Sequence, residues 1–273
     1  HIVRIYETFY MEDSVYIVMD YGEGGDLADI LKKCREAGER LAEAWVRTAS
    51  EQMVAALEYV HSKGVIHCDL KPANAMLLRQ SDVAGESPHI LLVDFGLAEI
   101  FEEKRTGGPV QVKGTPAYLA PEGFEGQLSV KSDMWALGCM IFEMLVGRRP
   151  FMAGPSVFAL WACVTKKEPP IEEAPALTQE LLKGLLAKDP QARFSAQECH
   201  ANEWFSVRTA RPQQSHKAFT ALHLKNLHHA GYFHRAAMFC MATELSMKDM
   251  SEKFEAFKAL DEEGTGRLDL ATL

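Results

Sequence analysis

The apolar spacing of this chain changes character along its length, and that change limits the architectures open to it. Residues 1–21 read HIVRIYETFYMEDSVYIVMDY, two apolar and aromatic runs broken by MEDS, the pattern of a strand, a turn and a second strand. From Asp26 onward DLADILKKCREAG has helical spacing and stops at a glycine. LAEAWVRTASEQMVAALEYVHSKG is a longer helix, with Trp45, Ala49, Met53, Ala56 and Tyr59/Val60 on one side and Gly64 as its stop. Short strands are predicted around Val65 and in HILLVDF, with polar loops between them. After Ser129 the spacing is helical almost throughout, in KSDMWALGCMIFEMLVG, SVFALWACVTKK, TQELLKGLLAKD and SAQECHANEWF. Strands first and helices after predict an α+β domain of two lobes, the larger one helical.

With 273 residues, 47% of them hydrophobic and 25% charged, the chain can bury one large core and carry a small second module. Its formal net charge is -9 and no run of five basic residues occurs, so nucleic acid and an anionic membrane surface are not its expected partners. The six cysteines are scattered without a C-x-x-C pair, which points to reduced thiols and a cytoplasmic location. No apolar run reaches the ~20 residues of a membrane helix, and no charged-then-apolar leader follows His1. A first residue other than methionine is the mark of a fragment. From about Ser206, SVRTARPQQSHKAF is polar and proline-bearing, the composition of a linker.

Four separated stretches fit one chemistry. HCDLKPAN supplies Asp69, Lys71 and Asn74; DFG spans Asp94 to Gly96; GTPAYLAPE spans Gly114 to Glu122; SDMWALGCMIFEML begins at Ser132. In this order and spacing they resemble the eukaryotic protein kinase family, and DLKPAN resembles its Ser/Thr branch. The resemblance implies a two-lobed kinase-like fold with an incomplete N-lobe and a mostly helical C-lobe, over residues 1–205. It implies ATP and Mg²⁺ as cofactors and protein hydroxyls as substrates. Phosphoryl transfer asks little covalent work of the protein, so the site must place a hydroxyl, hold Mg²⁺ and neutralise phosphate charge. Asp69 then accepts or orients the hydroxyl proton, Lys71 lies against the transferring phosphate, and Asn74 with Asp94 holds Mg²⁺ through hard oxygens.

The resemblance extends to supporting residues. Asp133 is expected to accept N–H groups of the His67–Asp69 turn, Glu122 to pair with Arg193, and Thr115 to reach the catalytic loop. Met19 falls at the gatekeeper position, the Asp20 to Gly22 backbone at the adenine hinge, Asp26 at the ribose and Met76 on the pocket floor. Three departures stand out. Cys68 replaces an arginine that pairs with a phosphorylated activation loop, so activity independent of that phosphorylation is expected. Glu102 and Glu103 in the loop EIFEEKRTGGPVQVK could supply fixed charge there, though a solvated acidic pair fits them better. Ala73 replaces a glutamate that meets a basic substrate side chain. Neither a glycine-rich phosphate loop nor a strand lysine precedes Asp69; GEGGDL at Gly22 lies after the gatekeeper. Truncation is the simpler account, and the fragment alone is expected to be inactive or weak.

FEAFKALDEEGTGRLDLATL at the end of the chain resembles the start of an EF-hand. Asp261 opens its loop, Glu263 and Thr265 hold the third and fifth positions, Gly266 the tight turn and Thr272 the twelfth. Threonine cannot supply bidentate carboxylate coordination, so Ca²⁺ binding is expected to be weak or absent. Kinase, junction and EF-hand in this order resemble the calcium-dependent protein kinases of plants and protists, dividing the chain into 1–205, a junction at 206–250 and a degenerate hand at 251–273. That resemblance implies a junction that docks on the kinase and is released by calcium. His223, His228, His229 and His234 have no nearby acid or cysteine at a ligand spacing and fit surface positions of the junction. The expected function is a calcium-regulated Ser/Thr protein kinase; the alternative is a pseudokinase or calcium-linked scaffold that binds partners without catalysis.

Overall fold

The computed structural model describes residues 1–11, 14–83, 88–100, 114–154 and 156–206, all within the unit His1–Thr209. It opens on a hairpin in which Ile5–Met11 (β1) pairs antiparallel with Ser14–Met19 (β2), with a register shift between Ile5 and Glu7. Helices Leu27–Ala37 (α1) and Glu43–Ser62 (α2) follow. Then come Val65–Ile66 (β3), Ala75–Leu77 (β4), Ile90–Leu92 (β5) and Glu99–Ile100 (β6); β3 pairs antiparallel with β6, and β4 with β5. The remainder is helical: Val130–Val146 (α3), Val157–Lys166 (α4), Ala176–Leu185 (α5), Ala196–His200 (α6) and Glu203–Ser206 (α7). The observed order is thus a strand pair, two helices, four short strands and then helices to the end of the described residues, so strands and helices are interleaved before the helical part begins. The loop with Glu102 and Glu103, the junction beyond Ser206 and the tail with Asp261, Glu263 and Thr265 lie outside the described residues.

Local chemistry accounts for the element ends. Asp26 caps α1, its Oδ1 accepting from Asp29 N at 2.9 Å, and Gly38 closes the helix at φ 68° in the left-handed region. Ser129 caps α3 and Ser132 answers back to the Ser129 N–H. On α2 the buried face carries Trp45, Ala49, Met53, Ala56 and Val60, as expected, but Tyr59 is 59% exposed and belongs to the other side. β4 goes beyond the sequence pattern, because three residues are too few to display alternation; its partner β5 makes it a strand. Residues of β1 and β2 are all exposed.

The core lies between α2, α3 and α5. Every residue of α3 from Ser132 to Val146 is buried, so this helix is surrounded by protein and serves as the axis of the helical part. With it in one apolar cluster are Met53 and Leu57 of α2, Leu181 and Leu185 of α5, and Trp204 of α7.

One ion pair ties the loop before α3 to the turn after α5. Arg193 is 1% exposed and donates through Nη1 and Nη2 to Glu122 Oε1 and Oε2 at 2.6 and 3.0 Å. Its other N–H groups reach the carbonyls of Lys131, Ala187 and Lys188, and Ser132 Oγ adds a 2.9 Å bond to Glu122. A buried pair stabilises only when its donors and acceptors are satisfied in this way. Glu122→Ala leaves the Arg193 charge buried without its carboxylate. Urea unfolding should show a loss of about 3–5 kcal/mol, part of which returns when Arg193→Met is added to the same chain.

Candidate active site

The loop that follows β3 is held from beneath by one carboxylate. Asp133, 2% exposed on α3, accepts from His67 N at 2.9 Å, from Cys68 N at 3.1 Å and from the His61 ring Nε2 at 2.8 Å. The expected contact to the turn is present; His61, the last-turn histidine of α2, is a third donor that sequence reasoning missed. Cys68 sits at φ 67°, a conformation costing roughly 1–2 kcal/mol for a residue with a side chain. Each hydrogen bond to the buried carboxylate contributes about 1.5–3 kcal/mol, which is enough to hold that turn. The His67 ring is fixed too: Nδ1 faces Asp69 N at 3.4 Å, Nε2 donates to Val93 O at 3.2 Å, and Phe95 lies 4.7 Å from it between ring centres.

Asp69, Lys71 and Thr115 meet at one point. Lys71 Nζ lies 2.6 Å from Asp69 Oδ2 and 3.1 Å from Thr115 Oγ1, and Thr115 Oγ1 donates to Asp69 Oδ1 at 2.7 Å. Asn74 Nδ2 closes the loop on Asp69 O at 2.9 Å. Thr115 arrives here because Gly114, at φ 92°, presses flat on the turn: a Cβ at Gly114 would come 2.5 Å from Cys68 O. Burial alone would raise the Asp69 pKa. The hydrogen bonds from Lys71 and Thr115, with the Lys71 charge, outweigh it and hold the carboxyl below the usual aspartate range. Asp69 is thus an ionised acceptor at neutral pH.

Asn74 and Asp94 leave from neighbouring strands, since Val93 N donates to Asn74 O at 3.0 Å. Asp94 is exposed, sits at φ 61° and takes Gly96 N on Oδ1 at 3.3 Å. Asn74 spends its amide N–H on Asp69, so its oxygen is the atom it can offer a cation. An amide oxygen and an exposed carboxylate fit Mg²⁺, which takes one or two protein oxygens and completes its shell with phosphate and water.

On the other side of the loop, Gly22, Asp26 and Met76 come together. Asp26 bridges Met76 across the backbone, and a Cβ at Gly22 would lie 3.0 Å from both Leu77 O and the Met76 methyl. Asp26 also serves as the α1 cap described above. Met19 ends β2 and is 43% exposed. Asp20 is engaged inside the hairpin by Arg4 N at 2.9 Å and by the Tyr6 hydroxyl; burial, then the Asp20 bond and charge, push that hydroxyl up to about 12.

The family described as Protein kinase domain matches residues 1–205. Similar curated proteins include the serine/threonine-protein kinase RUNKEL of Arabidopsis thaliana, 34% identical over 71% of this chain and 14% of that protein. CBL-interacting serine/threonine-protein kinase 20 of Arabidopsis thaliana is 30% identical over 80% of this chain and 48% of its own length. Calcium-dependent protein kinase 8 of the same plant is 27% identical over 100% of this chain and 50% of its own length. The chain spans half or less of each of these relatives.

Because the Asp69 pKa is depressed in the folded protein, the stability it contributes is present above the ordinary aspartate value of 3.8 and is lost as pH falls through the lower folded value. Lys71→Met removes the largest of the effects that lower it. The Asp69 carboxyl, followed by carbon NMR through an acid titration, should then titrate at higher pH than in the parent chain, and acid unfolding should begin at correspondingly higher pH.

Proposed function

This chain belongs to the protein kinase family, and on that premise we propose that it is the catalytic part of a Ser/Thr protein kinase that moves the γ-phosphate of ATP to protein hydroxyls. The observation that carries the proposal is the convergence of Asp69, Lys71 and Thr115 within 3.1 Å of one another. A substrate hydroxyl placed against Asp69 gives its hydrogen bond to an ionised carboxylate, which orients the oxygen and takes up its proton. The Lys71 ammonium, already within reach of the same point, stabilises negative charge on the phosphoryl group in flight. Thr115 fixes the carboxylate rotamer and joins the peptide-facing loop to the base. Asn74 and Asp94 would hold Mg²⁺, whose charge neutralises the phosphates. The Asp20 to Gly22 backbone would receive adenine, Met19 would border it as gatekeeper, Met76 would floor it, and Asp26 would face the ribose.

Regulation belongs to the same proposal. Cys68 brings no charge to a phosphorylated activation loop, so this kinase runs without waiting for that modification. Calcium control is supported by the match to a calcium-dependent protein kinase along the whole chain and by the tail FEAFKALDEEGTGRLDLATL. In this reading the junction 206–250 docks on the kinase and later hands, rather than the weak Asp261–Thr272 loop, read calcium. A cytoplasmic location is supported by unpaired thiols at Cys34, Cys139, Cys163 and Cys199. No helix among the described residues is long and apolar enough to cross a membrane.

The test is γ-phosphate transfer from Mg-ATP to a Ser/Thr peptide by the full-length protein, with and without Ca²⁺. Calcium-stimulated transfer is expected, with Asp69→Asn lowering the rate by ~10²- to 10⁴-fold and Asp94→Asn abolishing transfer at low Mg²⁺ concentration. Transfer indifferent to calcium removes the sensor from the proposal. Absence of transfer in both states removes the enzyme and leaves a partner-binding scaffold.

A further inference from the structure

Helix α4 is thinly attached to the core. Of its 10 residues, Cys163 and Val164 alone are buried, and Phe158 near its start is 72% exposed. A helix with so little apolar burial is loosely held unless something else fastens it. The fastening is at its last turn. Lys188, from the turn after α5, donates through Nζ to Val164 O at 2.6 Å. α4 ends at Lys166, so Val164 O is among the carbonyls that a helix cannot satisfy with its own N–H groups. The donor that Lys188 supplies is also a positive charge at the negative end of the helix dipole.

The same ammonium faces two rings. It lies 4.2 Å from the centre of Phe151 and 5.0 Å from that of Trp135, and those rings stack 5.4 Å apart. Burial lowers the Lys188 pKa; Glu168 and the thiols of Cys139 and Cys163 act in the opposite direction, and Arg193 adds to the lowering. A cation partly withdrawn from water is stable only where partners replace that water, and here a carbonyl, two ring faces and the Glu168 charge do so. Lys188 thus joins α3, the segment after it, α4 and the turn after α5 at one point.

What α4 touches gives this clamp a consequence. α4 packs against the 3₁₀ turns Pro116–Tyr118 and Pro121–Glu125, the peptide-facing stretch that follows Thr115. α3 ties both turns: Glu143 takes the Tyr118 hydroxyl at 2.6 Å and Arg35 Nη1 at 3.0 Å, and Ser132 bonds Glu122. α4 is a second support for the same turns, and Lys188 is what fastens it. We propose that Lys188 is a positioning residue for the protein substrate: it pins the last turn of α4 to the α3 core, holds α4 against the peptide-facing turns and so sets how tightly peptide binds, without touching it.

This inference rests on the kinase reading, and the experiment keeps the two apart. Lys188→Met, Lys188→Arg, Phe151→Leu and the Lys188→Met, Phe151→Leu double variant are compared in the full-length protein. The readouts are kcat and KM toward peptide and ATP, melting temperature, and amide exchange at 157–167 and 116–125. A cation held on aromatic faces is worth a factor of ~2 to 30, and its loss can shift α4 by no more than that. Lys188→Met should therefore raise the peptide KM within that range while kcat and the ATP KM stay unchanged, the signature of lost binding rather than lost chemistry. Exchange should quicken at both stretches, Lys188→Arg should restore most of the loss, and the two single losses should sum to more than the double variant shows. Unchanged exchange at 157–167 in Lys188→Met overturns the clamp. Quickened exchange with an unchanged peptide KM overturns the positioning role, as does a loss of peptide and ATP parameters together with the melting temperature, or a Lys188→Arg as damaging as Lys188→Met. If the parent protein transfers no phosphate, the kinase reading fails by itself, and unchanged exchange at 116–125 in Lys188→Met then overturns the positioning role as well.

Discussion

The carboxylate of Asp133 is the contact through which a packed helix becomes an organised site. α3 is immobilised by burial along almost its whole length, yet burial of apolar side chains is non-directional and places a backbone only loosely. A buried carboxylate is directional, and leaving any of its donors unmet is costly. Asp133 takes the N–H groups of His67 and Cys68 and a ring N–H of His61. It thereby converts the fixed position of a core helix into the fixed φ/ψ of the His67–Asp69 turn. The neighbouring Ser132 does the same for the second loop by bonding Glu122. Two loops that are far apart in sequence are thus referred to adjacent residues of one helix.

Their shared origin explains why the loops meet so closely. Gly114 lies on the Cys68 carbonyl with no room for a side chain, and Thr115, the next residue, closes on Asp69. The described non-glycine residues at positive φ are Cys68 and Asp94, one on each strand-end of the site, where stored strain is commonly found near function. Cys68 shows how backbone and side chain can have separate duties. Its N–H supports the turn whatever residue is present, while its short thiol stays buried and bonds back to Ile66 O at 3.7 Å. A side chain that folds inward leaves the turn intact and removes any charge that the turn could present outward.

Legibility from sequence followed chemistry more than geometry. The grouping of Asp69, Lys71 and Asn74 in one loop was legible from their spacing, and the contacts of Asp133, Glu122, Arg193 and Thr115 from the resemblance. The strand, turn and strand of β1 and β2 and the glycine stop of α1 were readable from local rules. Tyr59 was placed on the wrong side because Tyr59 and Val60 are adjacent apolar residues of one 20-residue helix, and their text alone does not reveal which one faces inward. β4 was missed because its three residues depend on β5. His61, Arg35 and Tyr118 were missed because each acts through a partner at long sequence separation. The available signal was on the other side of those contacts: one glutamate standing inside WALGCMIFEMLV.

That glutamate and Ser132 are eleven positions apart, close to three full helical turns, so they share one face of α3 about 16 Å apart along its axis. Ser132, near the start of the helix, holds Glu122; Glu143, near its end, holds Tyr118. The loop therefore runs antiparallel to α3. The four Cα-to-Cα steps from Tyr118 to Glu122 can span at most about 14 Å, so the side chains at both ends make up the difference along the axis. Tyr118 ends one 3₁₀ turn and Glu122 lies in the next, Pro121–Glu125, and a short segment tied at both ends to one buried helix has little freedom left in between. Leu119 and Ala120, between the two ties, are buried, and Thr115, three residues before Tyr118, bonds Asp69.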